Sequence, residues 1–184
     1  MQIRSKTHIF IRNLVFSSVC LTLCLVLPFL TGQIPQIGKA LCPMHIPVFL
    51  SGFLCGPWWA MAVGAIAPIF RSMLFSMPPL VPTAIAMSFE LLTYGLVVGL
   101  LYRFLPKKTG SIYITLIVAM LAGRGVWGIA SIFIYGAANQ AFTWPLFIAG
   151  AFTNAIAGIV VHILLVPVLV LTLQKGSIIH ANKH

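Results

Sequence analysis

Acidic side chains are almost missing from this chain of 184 residues. Glu90 is the only glutamate, and there is no aspartate. Catalysis by paired carboxylates needs two acidic groups, and carboxylate-held magnesium or calcium sites need about as many. The histidines are not grouped at metal-binding spacing either. The sequence therefore predicts no metal site, no cofactor held by this chain and no enzymatic activity of its own.

Charge as a whole is scarce. Only 7% of the residues are charged and 60% are apolar, whereas about a quarter of a soluble domain is charged. This composition predicts an all-α integral membrane protein surrounded by lipid. The net charge of +10 comes from short basic clusters between long apolar runs. That distribution is typical of cytoplasmic membrane loops and argues against a nucleic-acid partner.

The lengths of the apolar runs predict the membrane spans. A helix needs about 20 residues to cross the hydrocarbon core, and suitable runs occupy 10–31, 82–105, 112–135 and 145–173. The first exceeds the about 7–15 residues of a signal-peptide core, so we expect an uncleaved span. The run 46–76 is too long for one span and slightly short for two ordinary ones, and Gly56 and Pro57 interrupt it. We therefore expect two helices there and a six-transmembrane-helix bundle in all.

The basic residues favour six spans over five. With six spans, one side of the membrane receives nearly all of them: Arg4, Lys6, Arg12, Arg103, Lys107, Lys108, Lys175 and Lys183, with Lys39 opposite. The positive-inside tendency then predicts both termini in the cytoplasm of a bacterial cell. We expect one membrane domain over 1–184, with the bundle at 10–173 and cytoplasmic segments at 1–9 and 174–184. The outer loops would be 31–44, 77–81 and 136–143.

Arg71, Glu90 and Arg124 are ionisable residues inside predicted spans, where such groups are costly and point to function. At about 1.5 Å of rise per residue, Arg71, Glu90, Arg124 and Asn154 all lie in the outer half of the bundle. One interpretation is an internal Arg–Glu pair that holds the helices together. The other is a ligand site, because one carboxylate cannot neutralise two arginines and the surplus charge needs an anion. Both remain open at this point.

Further candidates for a binding site lie near the outer ends of the spans. His45 opens the second span at the outer surface, and Asn139 and Gln140 lie in the last outer loop. We expect these three residues at a lid over the pocket. Trp127 follows Arg124 on the fifth span and is a candidate for the pocket wall.

Several motifs carry a resemblance to a known family. They are MHIPVFLSGFLCG at 44–56, APIFRS at 67–72, MPPLVPTAIAM at 77–87, FELLTYG at 89–95 and AGRGVWG at 122–128. The chain resembles the substrate-binding S components of energy-coupling factor (ECF) vitamin transporters. The resemblance implies a six-helix bundle with an outer pocket closed by the loops after the first, third and fifth helices. It also implies inward delivery by toppling within the membrane.

The resemblance implies partners as well. They are a transmembrane coupling protein and two ATPase subunits that use ATP and magnesium; this chain has no GxxxxGK[ST] phosphate loop of its own. Many family members dock the coupling protein through an Ala-x-x-x-Ala patch on the first helix. Here the small residues at that spacing are Ser18 with Thr22, or Cys20 with Cys24.

The surplus arginine favours a small anionic vitamin as the substrate, with pantothenate first and lipoate next. A neutral ring such as pyridoxine or hydroxymethylpyrimidine is the alternative if Glu90 pairs internally with one arginine. A further alternative is an autonomous secondary transporter of a small metabolite, for which the lone carboxylate Glu90 gives thin support.

Overall fold

The computed structural model describes residues 2–31, 41–137, 141–151 and 153–175. This part of the chain is almost entirely helical. Its helices are α1 Gln2–Val26, α2 His45–Cys55, α3 Pro57–Phe75, α4 Ile85–Phe104, α5 Thr109–Ala137, α6 Trp144–Ala151 and α7 Ile156–Lys175. A 3-10 turn, Leu27–Thr31, extends α1, a π turn, Leu80–Ala84, precedes α4, and a 3-10 turn, Thr153–Ala155, joins α6 to α7.

Within the described residues, five segments are long and apolar enough to cross a membrane. They are Lys6–Leu30, Pro57–Phe75, Leu80–Phe104, Thr109–Ala137 and Trp144–Lys175. The second predicted span is the 11-residue α2, which rises only about 16 Å and is too short to cross alone. A short helix here agrees with the length of the run 46–76, which is slightly short for two ordinary spans. The all-α membrane fold is confirmed.

The break between α2 and α3 lies where the sequence predicts it. Gly56 has a φ of +86°, a backbone conformation that side chains with a Cβ adopt only under strain. Pro57 then begins α3, where its missing N–H costs no helical hydrogen bond. The two residues reverse the chain, so α2 and α3 form a helical hairpin.

Contacts between the helices give their directions. The Asn13 side chain donates to the Cys55 carbonyl over 3.4 Å, and the Cys24 thiol donates to the Met44 carbonyl over 3.4 Å. Helix α2 therefore runs antiparallel to α1. The ring of Phe29 packs on that of Phe75, with centroids 4.9 Å apart, so α3 runs parallel to α1.

Helices α1, α3 and α5 end at the same end of the bundle, here called the loop end. The segments that follow them in the chain are 31–44, 76–84 and 137–143. The other end, here called the terminal end, holds the loop 105–108 and the last turn of α7. There Gln174 donates a hydrogen bond to the Tyr102 hydroxyl. Lys107 donates to the Tyr102 carbonyl, and the burial that this requires lowers the pKa of Lys107.

Glycines allow α3 and α4 to approach at backbone distance, because small residues permit close contact between helices in a membrane. A Cβ built on Gly64 would lie 2.3 Å from the Leu91 carbonyl oxygen, and one on Gly95 would lie 2.4 Å from the Ala60 carbonyl oxygen. Both are far inside van der Waals contact with backbone atoms. The α3–α4 contact fixes the height of Glu90 in the bundle, because Glu90 precedes Leu91 directly.

The close approach generates a prediction. Gly64→Ala should lower the free energy of unfolding by about 1–3 kcal/mol, because the added methyl group must push α3 and α4 apart. Thermal unfolding of the purified protein in detergent measures the effect. Gly125→Ala is the matched control, since a Cβ there meets no atom within 4 Å. Equal unfolding temperatures for the two variants would contradict the packing argument.

Candidate functional site

The single acidic side chain, Glu90, lies at the centre of a buried polar cluster. Three side chains approach its Oε1 atom: the Arg124 guanidinium Nη1 at 2.9 Å, the Tyr94 hydroxyl at 2.6 Å and His45 Nε2 at 3.6 Å. Glu90 and His45 are each only 2% exposed. Helices α2, α4 and α5 therefore meet at this carboxylate.

A second histidine extends the cluster to α7. The ring of His162 stacks on that of His45, with centroids 5.5 Å apart and planes inclined by 18°. His162 Nε2 lies 3.2 Å from the Cys42 carbonyl oxygen, to which it donates as the N–H tautomer. Phe49 closes this side, with its ring centroid 5.6 Å from that of His162 and 4.9 Å from that of Tyr94.

Some polar atoms in the cluster lack hydrogen-bond partners among the described residues. They are both ring nitrogens of His45 and the Arg124 Nε. The 3.6 Å from His45 Nε2 to Glu90 exceeds the usual hydrogen-bond distance. Buried donors without partners are rare, because each forfeits the free energy of its lost hydration. The cluster thus offers donors that an incoming acceptor would satisfy.

Cys42 covers the cluster at the loop end. It precedes α2 with a φ of +47° and accepts the His162 hydrogen bond through its carbonyl oxygen. Burial raises the pKa of the Cys42 thiol to about 11. The thiol therefore stays neutral near pH 7 and adds no charge beside Arg124.

The structure does not bring Arg71 to Glu90. Arg71 lies on the α1 side of α3, where its guanidinium donates to the Leu25 carbonyl. It also lies between the rings of Phe29 and Phe75, 5.1 and 5.3 Å from their centroids. Leu25 belongs to the last turn of α1, whose carbonyls lack helical partners, so Arg71 completes the end of that helix. The predicted four-residue cluster is therefore smaller than expected.

The other predicted site residues lie in different surroundings. His45 was expected at an outer lid, but the structure buries it, because the short α2 begins inside the bundle. Trp127 points to α6, where its ring packs on those of Phe142 and Phe147. Asn139, Gln140 and the side chain of Asn154 lie outside the described part of the chain. Tyr94, Phe49 and His162 were missed as site residues, since on sequence they read as ordinary core residues of apolar helices.

The docking candidates separate onto two faces of α1. Cys20 and Cys24 are buried in the bundle core, so they are not part of its outer surface. Ser18 and Thr22 are exposed, and their hydroxyls donate to the carbonyls of Leu14 and Ser18 over 2.8 and 2.9 Å. At these two positions, the outer face of α1 therefore carries small side chains. Their hydroxyl donors are already bonded to carbonyl oxygens of the same helix.

The grooves found on the described residues lie away from the cluster. One of about 190 Å³ is lined by α5 and the start of α6, including Gly128 and Phe147. Another is lined by Phe89 of α4 and apolar residues of α5. Neither includes Glu90, Arg124 or a histidine. The polar cluster is closed in this structure, so a ligand must separate side chains in order to enter.

The ion pair generates a prediction about stability. Glu90→Leu should lower the free energy of unfolding by about 3–5 kcal/mol, because it leaves Arg124 buried without a counter-charge. Adding Arg124→Met should restore part of that loss, since the double variant buries no charge. Unfolding in detergent measures both, with exposed Arg103→Met as the control for loss of an arginine. A double variant no more stable than Glu90→Leu would contradict the role of the pair.

Comparison with known proteins identifies the family. The family model described as ECF transporter, substrate-specific component, matches residues 12–178. No curated protein and no solved structure matches the chain. The family match covers nearly the whole chain, and it agrees with the membrane-spanning helices and the motifs at 44–56, 67–95 and 122–128. The chain belongs to the family of substrate-specific components of ECF transporters, and it is a multi-pass membrane protein and a transporter subunit rather than an enzyme.

Proposed function

We propose that this chain captures a small vitamin from outside a bacterial cell and delivers it inward by toppling with an ATP-driven module. The module consists of a transmembrane coupling protein and two ATPase subunits, which use ATP and magnesium. The observation that carries the proposal is the buried cluster around Glu90, in which hydrogen-bond donors lack partners among the described residues. A ligand that brings acceptors satisfies them and gains binding free energy by doing so.

The orientation in the membrane follows from charge. Arg103, Lys108 and Lys175 are exposed at the terminal end of the bundle. Basic residues of short loops favour the cytoplasmic side. The termini therefore belong in the cytoplasm, and the loop end faces outside, which puts Cys42 between the cluster and the medium. Substrate enters from the loop end.

The donor count favours an anionic substrate. Glu90 pairs with Arg124, whereas the second buried arginine, Arg71, lies at the α1–α3 contact. The Arg124 Nε and the His45 ring add donors that a carboxylate accepts from. Pantothenate, which combines a carboxylate with amide and hydroxyl oxygens, is the first candidate. Lipoate, a carboxylate with an apolar ring, is the next.

A neutral ring is the second candidate, and one observation favours it. Glu90 already neutralises Arg124 at 2.9 Å, and the rings of Phe49, Tyr94 and His162 border the pair. A planar heteroaromatic molecule with its own donor and acceptor, such as pyridoxine or hydroxymethylpyrimidine, would stack there without changing the charge. The two candidates differ in their contact with Arg124. An anionic substrate binds the charged, planar guanidinium of Arg124, whereas a neutral ring does not depend on it.

Substrate identity is testable by ligand-induced stabilisation. Thermal unfolding in detergent should shift upward with pantothenate or lipoate, because a ligand that binds only the folded state stabilises it. Arg124→Lys keeps the charge opposite Glu90 but loses the planar fork, so it should weaken anion binding by about tenfold or more, at least ~1.4 kcal/mol. Arg71→Lys is the matched control, since it makes the same change at the α1–α3 contact.

Each alternative outcome of this experiment would indicate a different binding site or a different function. Weaker binding in Arg71→Lys alone would move the anion site to the α1–α3 contact. A shift with pyridoxine or hydroxymethylpyrimidine alone, unchanged in Arg124→Lys, would establish the neutral-ring candidate. No shift with any vitamin would contradict substrate capture by this chain.

The exposed pair Ser18 and Thr22 supports a docking surface for the coupling protein on α1. Their small side chains permit close approach of another helix within the membrane. Ser18→Trp should therefore abolish co-purification with the coupling module and vitamin uptake, while leaving vitamin binding to the isolated chain intact. Ile132→Trp places the same bulk on the exposed face of α5 and serves as the control. Normal uptake by Ser18→Trp would exclude this face of α1.

A further inference from the structure

Two stacked histidines lie inside the bundle beside the Glu90–Arg124 pair. We propose that His45, supported by His162, takes up one proton from solvent when an anionic substrate binds at the cluster. The inference rests on the proposed function, because it requires an anionic substrate. A proton is then captured together with the substrate, and His45 takes a direct part in substrate binding.

The geometry singles out His45 among the groups that can accept a proton. His45 is 2% exposed, and neither of its ring nitrogens has a hydrogen-bond partner among the described residues. One nitrogen of a neutral imidazole always carries a lone pair. His162 also has a lone pair, on the ring nitrogen that does not donate to Cys42, but among the described histidines it is His45 that lies at ion-pair distance from Glu90, 3.6 Å. His45 therefore holds an unused acceptor inside the site.

Helices α1, α3, α4 and α7 pack against α2, which carries His45. The buried arginine of α3, Arg71, turns away from His45 to α1. Helix α4 contributes Glu90, 3.6 Å away, and Tyr94, whose ring centroid is 5.4 Å away. Helix α5 contributes Arg124 through the same Glu90 oxygen, and α7 contributes the stacked His162. Cys42 precedes α2, and Cys24 of α1 is bonded to the Met44 carbonyl. Glu90 and Arg124 are the charged groups of this set.

The charge balance then changes when an anion enters. Before binding, the charges of Glu90 and Arg124 cancel each other. A substrate carboxylate brings one negative charge into a space from which water is excluded, and an uncompensated charge there is strongly disfavoured. One proton on His45 restores neutrality, and the imidazolium lies between Glu90 and the incoming carboxylate. His162 stays neutral, since two stacked cations repel each other.

Glu90 is the competing proton acceptor, and its contacts argue against it. Its Oε1 atom accepts hydrogen bonds from Arg124 and Tyr94, and both favour the ionised carboxylate. Protonation of Glu90 would also leave Arg124 to the substrate alone. The proton on His45 instead keeps the existing ion pair intact and supplies a second cationic donor for the substrate oxygens.

Calorimetry counts the protons. The full chain in detergent is titrated with pantothenate, and with lipoate in a second series, in buffers of different ionisation enthalpy at pH 8. The dependence of the binding heat on the buffer should give an uptake of about one proton per ligand. Linkage requires that the dissociation constant rise with pH, by about tenfold per unit where the free protein holds His45 neutral.

Two variants assign the proton to its residue. His45→Gln should reduce the uptake to near zero and flatten the pH dependence of the dissociation constant. His8→Gln changes an exposed histidine on α1 and should leave the uptake at about one. The wild-type proton count tests the inference even if His45→Gln does not fold.

The failures are distinguishable. Binding of either anion without proton uptake would overturn this inference and leave the proposed function intact. Uptake that persists in His45→Gln would overturn the assignment to His45 and transfer the proton to Glu90 or His162. Failure of both anions to bind, with binding of a neutral ring, would overturn both the inference and the anionic substrate. Failure of every vitamin would overturn the proposed function itself.

Discussion

The interior of this bundle is organised around a single carboxylate. The chain has one acidic residue, Glu90, and α2, α4 and α5 each place a polar side chain within 3.6 Å of its Oε1 atom. In a hydrocarbon solvent, no water can replace these contacts, so each helix must keep its rotation and height for the charge to stay neutralised. The helix packing and the polar cluster therefore depend on each other.

Two features of the backbone bring the polar side chains together around Glu90. Glycines bring α3 and α4 to backbone contact at Gly64 and Gly95, which sets the height of Glu90. The Gly56–Pro57 reversal ends α2 after 11 residues, so its first residue, His45, begins within the bundle rather than at its surface. A longer second helix would carry this histidine out to the loop end, away from Glu90.

The two buried arginines have different roles because their surroundings differ. Arg124 faces a carboxylate and neutral polar groups, and its Nε still lacks a partner among the described residues. Arg71 is enclosed by two phenylalanine rings and the last turn of α1, which suits a structural role at a helix end. Only the first has the open donor capacity that a substrate oxygen uses. The family match and this buried cluster together support the proposal that the substrate binds inside the bundle.

The sequence by itself determined the membrane fold and the helix break at Gly56 and Pro57. These follow from local composition and spacing, since hydrophobic length and backbone conformation depend on neighbouring residues. The motifs of the sequence also carry the resemblance to the family that the family model shows. The sequence also identified Glu90 and Arg124, because a charge in an apolar run is conspicuous. Only the tertiary structure decided that Arg71 turns to α1, that His45 is buried, and that Tyr94 and His162 join the cluster. Those facts depend on how far each helix is rotated and how deep it lies, which is set by contacts between residues distant in the chain.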